Sequence, residues 1–125
     1  MATWEMGASE EWIEIVELEV KSRIGVTEEE RLAFQRLVLS LRFQILRRFE
    51  ELQDQLASTV DYRAVAAEAH RIARETEVRL VETLVSEIAN GLMDRFPIHR
   101  LEIEMRKFIL ADVRYVSVKT TRCRA

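Results

Sequence analysis

Apolar and polar positions alternate most regularly between residues 36 and 46, where Leu37, Leu39, Leu41, Phe43 and Ile45 share one side and Ser40, Arg42 and Gln44 the other. That period of two predicts a strand with one apolar face. Upstream, Ile13, Ile15, Val16, Leu18 and Val20 make a second strand over 12–20, whose alternation slips phase between Ile15 and Val16, as a β-bulge would cause. Gly25 marks the turn between them. Phe49, Leu52 and Leu56 predict a short helix or turn over 47–57. The period then changes. Asp61 is a plausible N-cap for a helix over 62–75 with apolar face Tyr62, Val65, Ala66, Ala69, Ile72 and Ala73. Val81, Leu84, Val85, Ile88 and Leu92 form one stripe of a second helix over 79–95, ended by Pro97. Gly91 inside this helix costs about 1 kcal/mol against Ala, and nothing in the sequence explains it. Leu101, Ile103 and Met105 alternate with Glu102, Glu104 and Arg106 in a strand over 98–107, and Val116 and Val118 point inward from a last strand over 113–121.

The order ββααββ predicts an α+β domain: a four-stranded antiparallel sheet with both helices on one face. The other face, with Arg42, Gln44, Glu102 and Glu104, is left for solvent or a channel. The expected organisation is a flexible N-terminal tail over 1–11, a single domain over 12–122 and a short C-terminal tail over 123–125. With 125 residues the chain builds one modest core, of the size that association between copies often completes.

Composition narrows the function. The chain is 48% hydrophobic and 33% charged, with a net charge of -3, which predicts neither nucleic acid nor an anionic membrane as a partner. No apolar run approaches the roughly 20 residues of a membrane span. The acidic start from Met1 to Glu11 has no apolar segment, so no signal peptide is expected and a reducing, cytoplasmic setting is the default. Cys123 is the single cysteine, so no internal disulfide forms. His70 and His99 lie in different elements without metal-ligand spacing, and no cofactor is expected. Gly-rich phosphate loops and nucleophile-elbow patterns are absent.

Four residues remain as chemical candidates, each with an ordinary alternative. Thr27 and Glu30 match a capping box. Tyr62 reads equally as the first core residue of its helix, and Glu82 as the helix-surface partner of Arg79. Lys107 has the parity of Leu101, Ile103 and Met105, so its stem points inward, where an ammonium must find a carboxylate, water or ligand.

Several segments together resemble the dihydroneopterin aldolase family over about residues 12–122. They are Arg23-Ile24-Gly25-Val26 leading into an acidic run, Gln35-Arg36-Leu37-Val38-Leu39, Thr59-Val60-Asp61-Tyr62, Leu80-Val81-Glu82-Thr83-Leu84 with Glu87-Ile88-Ala89, and Arg106-Lys107. The resemblance implies the tunnelling fold, a tetrameric barrel that usually stacks as an octamer, and a pterin substrate bound between subunits. The implied reaction is cleavage of 7,8-dihydroneopterin without metal or Schiff base, with C2′ epimerisation as a possible companion activity. It makes Lys107 the general acid/base with Glu30 and a bound water, and Glu82 the anchor of the pterin's N2 and N3. Backbone near Leu80, Val81 and Val60 would contact the ring, and Tyr62 would stack on it from a neighbouring subunit. The chain departs from the family at Phe108, where a proline usually follows the lysine, and at Ser117, where a glycine is common. Ser117 is closer to the related dihydroneopterin triphosphate epimerases, whose phosphates would need cations such as Arg31, Arg36 and Arg114. A non-catalytic pterin-binding oligomer is the alternative from another class.

Overall fold

The computed structural model describes residues 10–125, so most of the expected N-terminal tail, residues 1–9, lies outside the described residues. The elements run β1 (Ile13–Ile24), β2 (Gln35–Ile45), α1 (Tyr62–Glu75), β3 (Glu77–Val78), α2 (Val81–Arg95), β4 (Ile98–Lys107) and β5 (Val116–Cys123). Single 3-10 turns at Phe49–Glu51 and Leu56–Ser58 occupy the segment between β2 and α1.

The class is α+β, but the sheet has five strands rather than four, in the order β3-β1-β2-β4-β5. The added strand is parallel to β1, pairing Glu77 with Arg23 and Val78 with Ile24, so the sheet is mixed. Its cause is local. Ser22 Oγ donates to the Thr76 carbonyl at 3.0 Å, and the Gly25 amide donates to the Val78 carbonyl at 3.2 Å. The chain leaving α1 is thereby laid along the end of β1 before α2 begins.

Leu37, Leu39, Leu41, Phe43, Leu101, Ile103 and Met105 all face the helices and are essentially inaccessible. Val65, Ala69, Ile72 and Ala73 of α1 and Leu84, Val85, Ile88 and Leu92 of α2 close the same core. Asp61 caps α1 by accepting the Arg63 amide at 2.9 Å. Two details of α1 differ from its apolar pattern. Tyr62 is exposed, because it starts the helix beyond the edge of the core, and Glu68 is buried, because its carboxylate is held by Arg71 and by Arg95 at 3.1 Å. Val116, expected inward, is exposed at the first position of the edge strand, whereas Val118 packs against the core. Gly91 now has a reason: a Cβ there would stand 2.5 Å from Ile72 Cδ1, so the glycine permits the close approach of α1 and α2.

The bulge in β1 falls between Ile15 and Leu18, which oppose Leu41 and Leu39. Three steps along β1 thus match two along β2, and Glu17 takes up the excess at a φ of 57°. Its amide donates to Ser40 Oγ at 3.0 Å. On the face away from the helices, Arg42, Glu104 and Arg106 are only 4%, 3% and 5% exposed, so this polar face is covered even in one chain. Trp12 lies 3.8 Å from the Arg42 guanidinium carbon and Tyr115 lies 4.4 Å from that of Arg106. Arg42 pairs with Glu102 at 2.8 Å and Arg106 with Glu104 at 2.9 Å, which is how buried charge is accommodated. The sheet ends in two open edges: β5 on one side, and on the other the part of β1 that β3 does not cover.

Candidate active site

The connection from β1 to β2 folds back on itself and builds the position of Glu30. The Thr27 amide donates to Glu30 Oε1 at 3.3 Å, and the Glu30 amide donates to Thr27 Oγ1 at 3.2 Å, so the reciprocal cap expected from the sequence forms at a 3-10 turn. Gln35 Nε2 donates to the Glu30 carbonyl at 3.3 Å and also to Ile24. Arg31 donates to the Gly25 carbonyl at 2.9 Å and pairs with Glu77 at 3.5 Å, which ties the loop to β3. Gly25 allows this packing: a Cβ there would meet Glu30 Cβ at 2.3 Å.

β3 hands the chain directly to α2. Leu80 sits at the N-cap in extended conformation and offers no side-chain acceptor, so the first amides of α2 are left without a side-chain cap. Glu82 stands in the first turn, exposed. The structure does not form its expected surface pair with Arg79; among the described residues Glu82 takes part in no ion pair. Lys107 closes β4 opposite Leu37, on the helix side of the sheet, and is 8% exposed. Its ammonium makes no ion pair or hydrogen bond among the described residues. A lysine with a buried stem and no carboxylate is an unusual arrangement outside a binding or reaction site.

These three residues belong to the same end of the sheet. Ile24, Gln35 and Leu37, Lys107 and the start of α2 all lie there, since β3 pairs with the end of β1 and Leu37 pairs with both Lys107 and Val20. Tyr62 does not. It lines a cavity of about 280 Å³ with Ile13, Leu56, Thr59 and Val60, and Ile13 pairs with Phe43 at the far end of β2. Leu37 and Phe43 are about 20 Å apart along the strand at the usual rise per residue. One chain therefore holds Glu30, Glu82 and Lys107 at one end and Tyr62 with Val60 at the other.

The family model of dihydroneopterin aldolase, FolB, matches residues 13–121. The chain belongs to the dihydroneopterin aldolase family. Among solved structures it is similar to the FolB protein of Vibrio cholerae, with 30% identity, a TM-score of 0.86 and coverage of 93% of this chain and 99% of that one. It is similar to the Escherichia coli dihydroneopterin aldolase in complex with neopterin at 26% identity and a TM-score of 0.82, over 90% of this chain and 98% of that one. A Burkholderia dihydroneopterin aldolase bound to guanine shares the fold at 22% identity and a TM-score of 0.78, over 94% of each chain.

The two departures of this aldolase-family chain, Ser117 and Phe108, have contacts that the sequence did not indicate. Ser117 Oγ donates to Glu104 Oε2 at 2.9 Å, so the serine where the family commonly has glycine ties the edge strand to a buried carboxylate. Phe108, in place of the usual proline, lies 5.0 Å from the Arg36 guanidinium carbon and edge-on to Tyr115 at 6.2 Å. The pairing of Ser117 with Arg106 across β4 and β5 places it two residues from Glu104 and on the same face, a relation visible only in the strand register. Among the described residues no cluster of three His, Cys, Asp or Glu converges on a possible metal position. Among the described residues no helix is long and apolar enough to cross a membrane.

Proposed function

We propose that this member of the dihydroneopterin aldolase family cleaves 7,8-dihydroneopterin at a site assembled from two copies of the chain. One copy contributes Glu30, Glu82 and Lys107, and its neighbour contributes Tyr62 with Val60. The observation that supports this reading is the separation of the two groups at opposite ends of one sheet, together with two open edges through which sheets of neighbouring copies can join edge to edge. Four copies joined in this way close a barrel with the helices outside, and two such rings stack as an octamer.

In that site Glu82 accepts two parallel N–H bonds from the pterin's N2 and N3, the geometry in which a carboxylate also binds arginine. The backbone at Leu80 and Val81 meets the ring edge, where the amides of α2 lack a side-chain cap. Tyr62 stacks on the ring. Lys107, with Glu30, takes the proton of the side chain's 2′-hydroxyl. The C1′–C2′ bond breaks and glycolaldehyde leaves. The bonding pair moves into the dihydropterin's N5=C6 imine, and the resulting enol is protonated at C1′ to give 6-hydroxymethyl-7,8-dihydropterin. The substrate's imine accepts the electrons, so neither a metal nor a lysine Schiff base is required. Re-addition of glycolaldehyde to its other face would epimerise C2′ by the same step. The E. coli relative's neopterin complex supports the choice of ligand.

Subunit complementation tests the shared site. Tyr62→Ala and Lys107→Ala are each expected to lose most turnover, and hetero-oligomers from co-expression of the two should recover a substantial fraction of it, because some interfaces then pair an intact Tyr62 with an intact Lys107. Hetero-oligomers as inactive as either parent would show that both residues do not serve one site between copies.

A further inference from the structure

The polar face of the sheet holds a cluster that the aldol chemistry does not use. Where β4 ends, a cavity of about 620 Å³ opens between the bulge of β1, the start of β2 and the 108–115 connection. Arg36, Arg106 and Arg114 line it, from three different segments, beside the rings of Phe108 and Tyr115. Glu17 and Glu19 line it as well, and both are already engaged: Glu17 Oε1 lies 3.2 Å from Arg106 Nη1, and Glu19 pairs with Arg36. Arg106 Nε donates to Glu104 at 2.9 Å. Its Nη2 is buried and has no hydrogen-bond partner, although the residue is only 5% exposed. Arg114 forms no ion pair among the described residues.

We propose that this cavity binds a phosphoryl group. The nearby carboxylates are committed, Arg106 Nη2 has no hydrogen-bond partner and Arg114 no ion-pair partner among the described residues, and the lining carries three arginines against two glutamates. A guanidinium presents its N–H groups in a fixed fork suited to oxyanions. Arginines converging from three segments suit a tetrahedral phosphoryl group, whose oxygens point in several directions, better than a planar carboxylate, which a single fork satisfies. The rings of Phe108 and Tyr115, 5.0 Å and 4.4 Å from the Arg36 and Arg106 guanidinium carbons, hold two of the three cations in place before a ligand arrives. The volume suits a small phosphorylated metabolite. Arg106 and Lys107 are successive residues of β4, so their side chains leave opposite faces of the sheet, and this site is separate from the one that holds Lys107.

Calorimetric titration of the full chain with inorganic pyrophosphate at low ionic strength tests the proposal, with acetate and neopterin titrated alongside. Pyrophosphate is expected to bind saturably at one site per chain, acetate at least about tenfold more weakly, and Arg114→Ser to weaken pyrophosphate by about tenfold or more, as loss of a charge-assisted contact should. Saturating neopterin is expected to leave pyrophosphate binding in place. Arg114 is the position of choice because it is exposed and its loss does not disturb the buried Arg106 pairs. No saturable heat, equal binding of acetate, unchanged affinity in Arg114→Ser, or displacement by neopterin would each overturn the proposal. A failure of neopterin alone to bind would count against the pterin site and leave this one standing.

Discussion

Gly25→Ala is the most informative perturbation of the loop that carries Glu30. An added Cβ would lie 2.3 Å from Glu30 Cβ, 3.0 Å from its Cδ and 3.1 Å from Oε2. The closest of these atoms is fixed to the backbone, so a rotamer change cannot relieve the overlap and the 3-10 turn itself must move. Overpacking of this kind costs about 1–3 kcal/mol. The alanine returns about 0.4–1 kcal/mol by restricting the unfolded chain. A net loss of about 1–2 kcal/mol is expected, which for a domain of this size is roughly 3–10 °C in Tm. Thermal unfolding followed by circular dichroism, at fixed protomer concentration because association also shifts Tm, measures it. The decisive arm is the second-site variant. Glu30→Gly removes the atom that is struck and should restore most of the loss, whereas Glu30→Ala keeps that atom and should not. Equal rescue by both would mean that the carboxylate, not the Cβ, is the obstacle. A Tm that rises in Gly25→Ala would refute the close approach altogether.

Lys107→Ala should slow turnover of dihydroneopterin by about 10²–10⁴-fold while leaving neopterin affinity much less changed; near-full turnover with the fold intact would remove Lys107 from the chemistry. Glu82→Gln should weaken neopterin binding by about 1.5–3 kcal/mol, read by fluorescence titration, and unchanged affinity would leave Glu82 as a surface residue. Asp61 accepts the Arg63 amide, which holds its carboxyl below the usual range. Because the folded value is depressed, its contribution to stability is present above the unfolded value of about 3.9 and disappears as pH falls through the folded value; Asp61→Asn should therefore flatten the acid side of the stability profile, and an unchanged profile would dismiss the cap's role. Dialysis against a chelator should leave turnover intact, and zinc-restored activity after its loss would reveal a metal role that the proposed chemistry does not contain.

Regular alternation in β2 and β4 and the 3.6-residue stripe of α2 made the layers legible, because each element has one apolar face and only one way to bury it. β3 was not legible. Two residues carry no period, and Glu77 and Val78 become a strand only because Ser22 and Gly25 hold the chain against β1. Parity assigned Arg42, Glu104 and Arg106 to the face away from the helices, but it does not report whether that face is wet; Trp12 and Tyr115, remote in sequence, decide that. For the candidate site, parity placed the stem of Lys107 inward, and the capping pattern placed Thr27 against Glu30. What neither could supply is that Tyr62 stands at the far end of the sheet, because that follows from the path of the whole chain rather than from any local pattern.

The bulge in β1 also bears on how this chain can change length. Within a regular strand, losing one residue turns every position on one side of the gap through the sheet, so core side chains become solvent side chains. Between Ile15 and Leu18 the chain already carries one residue more than β2 requires. Deleting Val16 or Glu17 would bring the two strands into equal step, with Ile13 and Ile15 above the gap and Leu18 and Val20 below it still facing the helices. The bulge is therefore a place where a single-codon deletion or its reversal can pass without exchanging inside for outside, and deletion of Glu17 removes its contact to Arg106 rather than any part of the core.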